Sequence, residues 1–523
     1  MVARGAGIGL LVEALQQRND KRPGRFAWHA EVLSKAYGEK PGVRADDPNA
    51  LPMQPSLITN DVSHVMSEKG NAIGTQTVER SLMRRKFMCI AVLAVSWLAV
   101  GPTAGPATAD VFHPTRVDDP MPDGCQPADC SLREAVIEAN GSRGRDTVVM
   151  RSSATYRLEL PGDPGAGECC DQESTAGDLD VDDRTVLRTS ARSRATVSAT
   201  ALIDPEEDGV IDLTDRTSRI QNLVVRDGGV GIELGSLRRG EGVKIVNSVI
   251  RNNFVGILGR DPVKLRTSRV VANDSGIEGR SNTRISRSRI VRNRTFGVAA
   301  CGPVRISATS VRDNGQVGIR AGEGGPSSIS CRAQLTLRNS TVADNGNRSE
   351  VAAGGVRVQN GKALIVNATV AANRSADVGG GVGLLAGRVE MRSSTVARNR
   401  AAEGGGLWLG GNVTRFELAN SLIALNAADT RAERNCAGRF VSAGHNLVSP
   451  PAGRCRGIGR RSDLLRAKPR IGTLADNGGR TDTIKLLRRS PAVNAANPRT
   501  SPPRDQRGAR RDRRPDIGAY ERH

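Results

Sequence analysis

The sequence predicts an all-β solenoid: short strands stacked coil upon coil, with a short helix closing the front end and a capping region closing the back. Three observations predict it. Only 7 Phe, 3 Tyr and 3 Trp are spread over 523 residues, too few rings to centre several compact cores. Val, Ile and Leu nonetheless recur in β-favouring clusters, which a solvated disordered chain would not carry. The third is a repeated segment that ends each time in Asn. No stretch of about twenty apolar residues occurs, which excludes a membrane-spanning helix.

Taken in order, residues 1–82 are polar and weakly patterned, and residues 83–109 read as an export signal. Arg84, Arg85 and Lys86 precede an apolar run from Phe87 to Val100, and Ala107-Thr108-Ala109 forms a small-residue cleavage site. The expectation is therefore translation from Met83 and a secreted or loosely surface-associated chain, with 1–82 an unstructured or non-native extension. Nine cysteines become eight once Cys89 leaves with the signal, an even number suited to disulfides in an exported chain. Proximity pairs Cys125 with Cys130, Cys301 with Cys331 and Cys436 with Cys455, and leaves the adjacent Cys169 and Cys170 open. No metal-type Cys-x-x-Cys pair occurs.

Residues 110–145 form the front cap. CSLREAVIEAN (130–140) sets Ser131 three residues before Glu134, a capping box, and puts Leu132, Ala135, Val136 and Ala139 on one helical face. Residues 146–430 carry the repeat. Its copies end at Asn253, Asn273, Asn293, Asn314, Asn345, Asn373, Asn399 and Asn426, spaced by 20, 20, 21, 31, 28, 26 and 27 residues, with an earlier copy ending at Asp227. The third residue before each Asn is β-branched (Ile250 to Ile423), the eighth is aliphatic (Ile245 to Leu418), and the fifth is mostly Ser. These columns alternate with polar positions, so each copy holds two short strands. Gly plus an aliphatic residue follows, as in Gly256-Ile257 and Gly318-Ile319, giving a turn and a third strand. One such unit cannot bury its apolar face, and stacking does so, placing Asn on Asn in a ladder of amides.

The pattern resembles the right-handed parallel β-helix of the pectate-lyase-like superfamily, and the later copies resemble repeats of polymorphic outer-membrane proteins. A leucine-rich repeat would need a leucine consensus and a helical segment, both missing. CSLREA (130–135) and GDLDV (177–181) are similar to the opening of the exported CSLREA family. Residues 431–523, with NCAGRFVSAGHNLV (435–448) and DQRGARRDRRPDIGAYE (505–521), resemble the choice-of-anchor Q region of bacterial surface proteins. The superfamily resemblance implies acidic-polysaccharide cleavage in its enzymes, with acids binding Ca²⁺ and a basic residue abstracting a proton; a fold alone does not carry that activity.

The chemistry the residues themselves suggest is cationic. Nine positions before the Asn lie Lys244, Lys264, Arg284 and Arg305, then Thr336, Leu364, Glu390 and Glu417, with Arg266, Arg269 and Arg289 on nearby outward positions. Such a stripe suits an anionic polysaccharide or cell-envelope glycan, although in-register cations also serve simply to keep a surface soluble. Glu390 with Glu417, or Asp178, Asp180 and Asp182 at alternate positions of one strand, supply oxygens of the kind that bind Ca²⁺; solvated polar edges look the same. No other cofactor is implied. His445 reads as structural, and no catalytic triad, phosphate loop or nucleic-acid module is recognisable. The loops 346–353, 374–378 and 400–403 project from one side and are the place to look for a site. A non-catalytic binding or structural module is the first expectation, and a lyase or epimerase on uronic-acid polymers the alternative. Without residues 1–109 the chain keeps 63 basic and 46 acidic residues, so the formal charge of +21 falls only to +17.

Overall fold

The computed structural model describes residues 109–161, 175–200, 209–215, 217–235, 242–324, 329–346, 354–410, 414–450 and 454–523. The extension 1–82, residues 83–108 of the export segment, and Cys169 and Cys170 lie outside them.

Alternating apolar positions and regular Asn spacing fold as a right-handed parallel β-helix. The described residues form three long parallel sheets of 13, 12 and 13 strands. In one coil, Val243–Val246 lies in the first sheet, Val249–Arg251 in the third and Val255–Gly259 in the second, before Val263–Arg266 begins the next coil. Each strand pairs with its counterparts in the coils before and after, so identical columns superimpose. The inward columns are fully buried: Ile245 through Leu418 from the first sheet, Ile250 through Ile423 from the third, and Ile257 through Leu407 from the second. The few rings inside are Tyr156 near the front end and, near the back, Phe416 and Phe440, which meet edge to face at 5.4 Å.

The corners come from a device that composition does not reveal. In the coil of Asn253, Asn247 and Asn252 take left-handed backbone conformations at φ 51° and 57°, each bending the chain sharply between two strands. Later coils repeat this with residues that adopt it less readily, including Thr267, Arg292, Ala372 and Leu425. The register also corrects one alignment. Ile250 pairs with Val225, so Gly228 rather than Asp227 occupies the Asn position, and Asp227 sits at the left-handed corner beside Asn252.

The front cap is helix α1 (Leu132–Gly141), with the Ser131–Glu134 capping box formed and Leu132, Ala135, Val136 and Ala139 buried. Arg133, on the same helix, is wholly buried. It pairs with Asp119 at 2.8 Å and donates to the carbonyls of Gly177 and Asp178, tying the helix to the second sheet's first strand, Leu179–Val181.

At the back, strands continue to Leu464–Leu465. The chain then turns aside as a strap, residues 469–521, which lies along the outer face of the third sheet. Ala371, Ala397, Leu422 and Ala424 of that sheet share an apolar cluster with Ile471, Ile484, Leu486, Ala492 and Ile517 of the strap. Burying those outward positions requires small or apolar residues, which is why Arg269 and Arg289 of the uncovered coils give way to Thr341, Thr369 and Thr395 under the strap.

Candidate functional site

Three polar systems run along the coils. The innermost is the amide ladder. Each Asn Oδ1 accepts both the backbone N–H and the side-chain Nδ2–H of the Asn one coil earlier; Asn373 accepts from Asn345 at 3.1 and 2.8 Å, and Asn399 from Asn373 at 3.0 and 2.9 Å. Asn253, Asn273, Asn293, Asn314, Asn345, Asn373, Asn399 and Asn426 all belong to it. Gly228 N–H meets its front end, and Asn435 with Ser449 closes its back. Beside it runs a second ladder, built from the column of small, mostly Ser residues five before each Asn. Ser248, Ser268, Ser288, Thr309 and Ser340 are buried; each later hydroxyl accepts the N–H of the one before and donates to the carbonyl two residues back in its own coil. Both ladders satisfy buried backbone donors at corners that sheet pairing leaves open.

The second system is the cation column on the outer face of the first sheet. Lys244, Lys264, Arg284 and Arg305 pair coil by coil, and Arg219 extends the column one coil forward. Alignment on Asp227 had hidden Arg219. Lys244 and Lys264 are half-buried, whereas Arg284 and Arg305 are exposed. Arg266 stands beside Lys264 on the same strand face. Arg269 and Arg289, in contrast, belong to the third sheet and do not join this stripe. Farther along, the column becomes Thr336, Leu364, Glu390 and Glu417. The two glutamates proposed as Ca²⁺ ligands are engaged by guanidiniums: Glu390 by Arg392, and Glu417 by Arg415 at 3.0 Å and Arg388 at 3.4 Å.

The third system was invisible in the sequence. On the outer face of the second sheet, Asp180, Asp212 and Glu233 stack on successive coils; Leu258, Glu278 and Ala299 follow, then Arg320 and Arg357. Burial pushes the Asp212 carboxyl up to about 6, and the facing Glu233 adds to the rise. Burial likewise raises Glu233, opposed by Arg260, which pairs with it at 2.9 Å, and raises Glu278, opposed by Arg280 and Arg320. Asp212 Oδ1 and Glu278 Oε1 have no hydrogen-bond partner among the described residues. Asp178, Asp180 and Asp182 do not act as a set: Asp180 joins this stack, while Asp182 accepts from Thr214 at 2.7 Å and Asp178 precedes the strand. Among the described residues no three His, Cys, Asp or Glu side chains come together as a metal-binding group.

The terminal motifs are structural in their contacts. The structure joins Cys125 to Cys130, Cys301 to Cys331 and Cys436 to Cys455. His445 Nδ1 lies 2.9 Å from the Ala495 carbonyl oxygen. In the strap, Arg511 pairs with Glu521 at 2.8 Å, both buried, and also donates to Asn367 Oδ1 of a coil corner. Gln506 bridges Thr341 and Thr369 of the third sheet.

No family pattern matches the chain, and no curated protein is similar to it in sequence. Among solved structures, similar folds include the pectate lyase Pel9A (TM-score 0.45, 15% identity, 80% of this chain and 98% of that one). The Dettilon tailspike protein (0.38, 12%, 68% and 68%) and an alginate lyase from Paenibacillus sp. (0.28, 12%, 64% and 99%) are similar over shorter spans.

Proposed function

We propose that the chain is an exported, non-catalytic binding module for acidic polysaccharide, which it holds along the first-sheet cation column. The single observation that carries this reading is the register of Arg219, Lys244, Lys264, Arg284 and Arg305 on five successive coils. Coils lie about 4.8 Å apart, and like unit charges at that distance repel by roughly 1 kcal/mol even in water. A linear polyanion laid across the coils meets a cation at each coil along its length. Retention of the protein on immobilised polygalacturonate, eluted by salt, tests the reading. Lys264→Glu with Arg284→Glu is expected to shift elution to markedly lower salt; unchanged retention would refute the proposal.

A second reading rests on the second-sheet carboxylates. A group with a pKa of about 6, such as Asp212, is suited to proton transfer near neutral pH, and the neighbouring Arg260 could neutralise a uronate. This supports a lyase or epimerase. Lyase products absorb in the ultraviolet, so an absorbance rise over pectate or alginate with added Ca²⁺, abolished in Asp212→Asn, would favour it over the binding module.

A further inference from the structure

Where the corner between the third and second sheets runs beside the strap, the surface opens into a cleft of about 650 Å³, within the range of ligand pockets. Among the described residues, Arg312, Arg374, Arg398 and Arg400 line it, with Asp313 and Asp344 as the acids. Both acids sit at one end and are already engaged: Arg312 pairs with Asp344 at 2.7 Å, with Asp313 at 3.3 Å, and with Asp482 of the strap at 2.7 Å. The other three guanidiniums are differently placed. Arg374 makes no side-chain hydrogen bond or ion pair among the described residues. Arg398 donates to the Gly472 carbonyl of the strap at 3.2 Å. Among the described residues, Arg400 has a distant, exposed partner, Asp429 at 3.9 Å, a contact worth little in water. Arg374 and Arg400 are in register on adjacent coils, so they stand about 4.8 Å apart along the axis. Arg398, at a left-handed corner (φ 59°), adds a third cation across the turn.

We infer that this cleft is a second binding site, which takes a short acidic oligosaccharide carrying a negative charge on each of several successive sugars. The charge arithmetic favours an anion. The volume and the spread of cations over two coils favour several charges in series rather than one compact ion. Guanidinium forks bind carboxylates and sulfates bidentately, so both sources of charge share the chemistry. The site lies on a different face from the cation column, and Arg374, Arg398 and Arg400 lie on later coils than Arg305. Gly472 and Asp482 of the strap hold Arg398 and Arg312 in place at the edge of the cleft.

Calorimetry with the full chain at low salt tests this, using a tetragalacturonate, its methyl ester, a sulfated tetrasaccharide and inorganic phosphate. Binding of one or both charged tetrasaccharides, with no binding of the ester, is expected, and the preferred arm identifies the charge. Arg374→Glu with Arg400→Glu should weaken binding at least tenfold, whereas Lys264→Glu with Arg284→Glu should leave this site's affinity within twofold, so the two sites are read separately. Phenylglyoxal modification of unmutated protein, followed by mass spectrometry, should show Arg374 and Arg400 protected by the bound tetrasaccharide. Phosphate binding as tightly as the tetrasaccharides, undiminished affinity in the Arg374/Arg400 variant, or absence of protection would each overturn the inference.

Discussion

Ionising Asp212 sets a second negative charge against Glu233 on a surface where burial has already weakened hydration. Its folded pKa, about 6, lies above the usual 3.8, so the folded chain holds a proton there that the unfolded chain has lost. Stability from this group is therefore present at low pH and declines as pH rises from about 4 through 6. Asp212→Asn removes the penalty. Its melting temperature should match the parent near pH 4 and exceed it at pH 8, by up to about 3 kcal/mol in stability, as read by calorimetry across that range. The opposite sign is expected at Asn373, whose Oδ1 accepts two donors of Asn345 and whose Nδ2 donates to Val342 and Asn399. Asn373→Ala strands those donors in the interior and should lower stability by about 2–4 kcal/mol in urea unfolding.

A coil is set by what its neighbours leave room for. Gly318 shows this: a Cβ there would stand 2.8 Å from Asn345 Nδ2 and 2.8 Å from the Gly355 carbonyl oxygen. The glycine that follows each Asn is thus required by the ladder of the next coil, and Gly318→Ala should cost about 2 kcal/mol or more in urea unfolding. Corners err in the other direction. Leu425 is 45% exposed and left-handed at φ 57°, so Leu425→Asn should stabilise the chain by about 0.5–1 kcal/mol, visible as a higher urea midpoint. The elements were legible in the sequence where stacking forces one residue type to recur, as at Ile250, Ser268 and Asn314. They were illegible where a column mixes types. Asp180, Asp212 and Glu233 share one face, but their coils lack the Asn marker, and nothing in the sequence aligns them. The cation column was legible for the same reason as the core, save for Arg219, whose coil ends in Asp227-Gly228. Arg374 and Arg400 directly follow Asn373 and Asn399, as Arg294 follows Asn293, so the repeat aligns them, but the column mixes these with Phe254, Asp274, Gly315, Gly346 and Ala427, and nothing in it marks a cleft.

Over the whole molecule, the strap is held by a few buried polar contacts and one apolar cluster. Arg511 and Glu521 are 2% and 0% exposed, and removing one partner leaves the other charged and buried. Arg511→Met should destabilise by about 3–5 kcal/mol, with hydrogen exchange accelerating in the third-sheet strands Thr369–Ala371 and Thr395–Ala397 that the strap covers. The sequence placed residues 431–523 at the end of the stack, and could not show that its last part lies alongside, because Thr and Ala beneath it read like any small outward residues. The amide ladder carries one further consequence. Every rung points the same way: an Asn finds the acceptor for its own N–H and Nδ2–H groups in the coil that follows it in the chain. A chain emerging from its N-terminus therefore always ends in a coil with unmet donors, a growing tip that becomes complete only when Asn435 and Ser449 arrive. A stack ending at any earlier coil would leave the N–H of its last Asn without the acceptor that the next coil supplies.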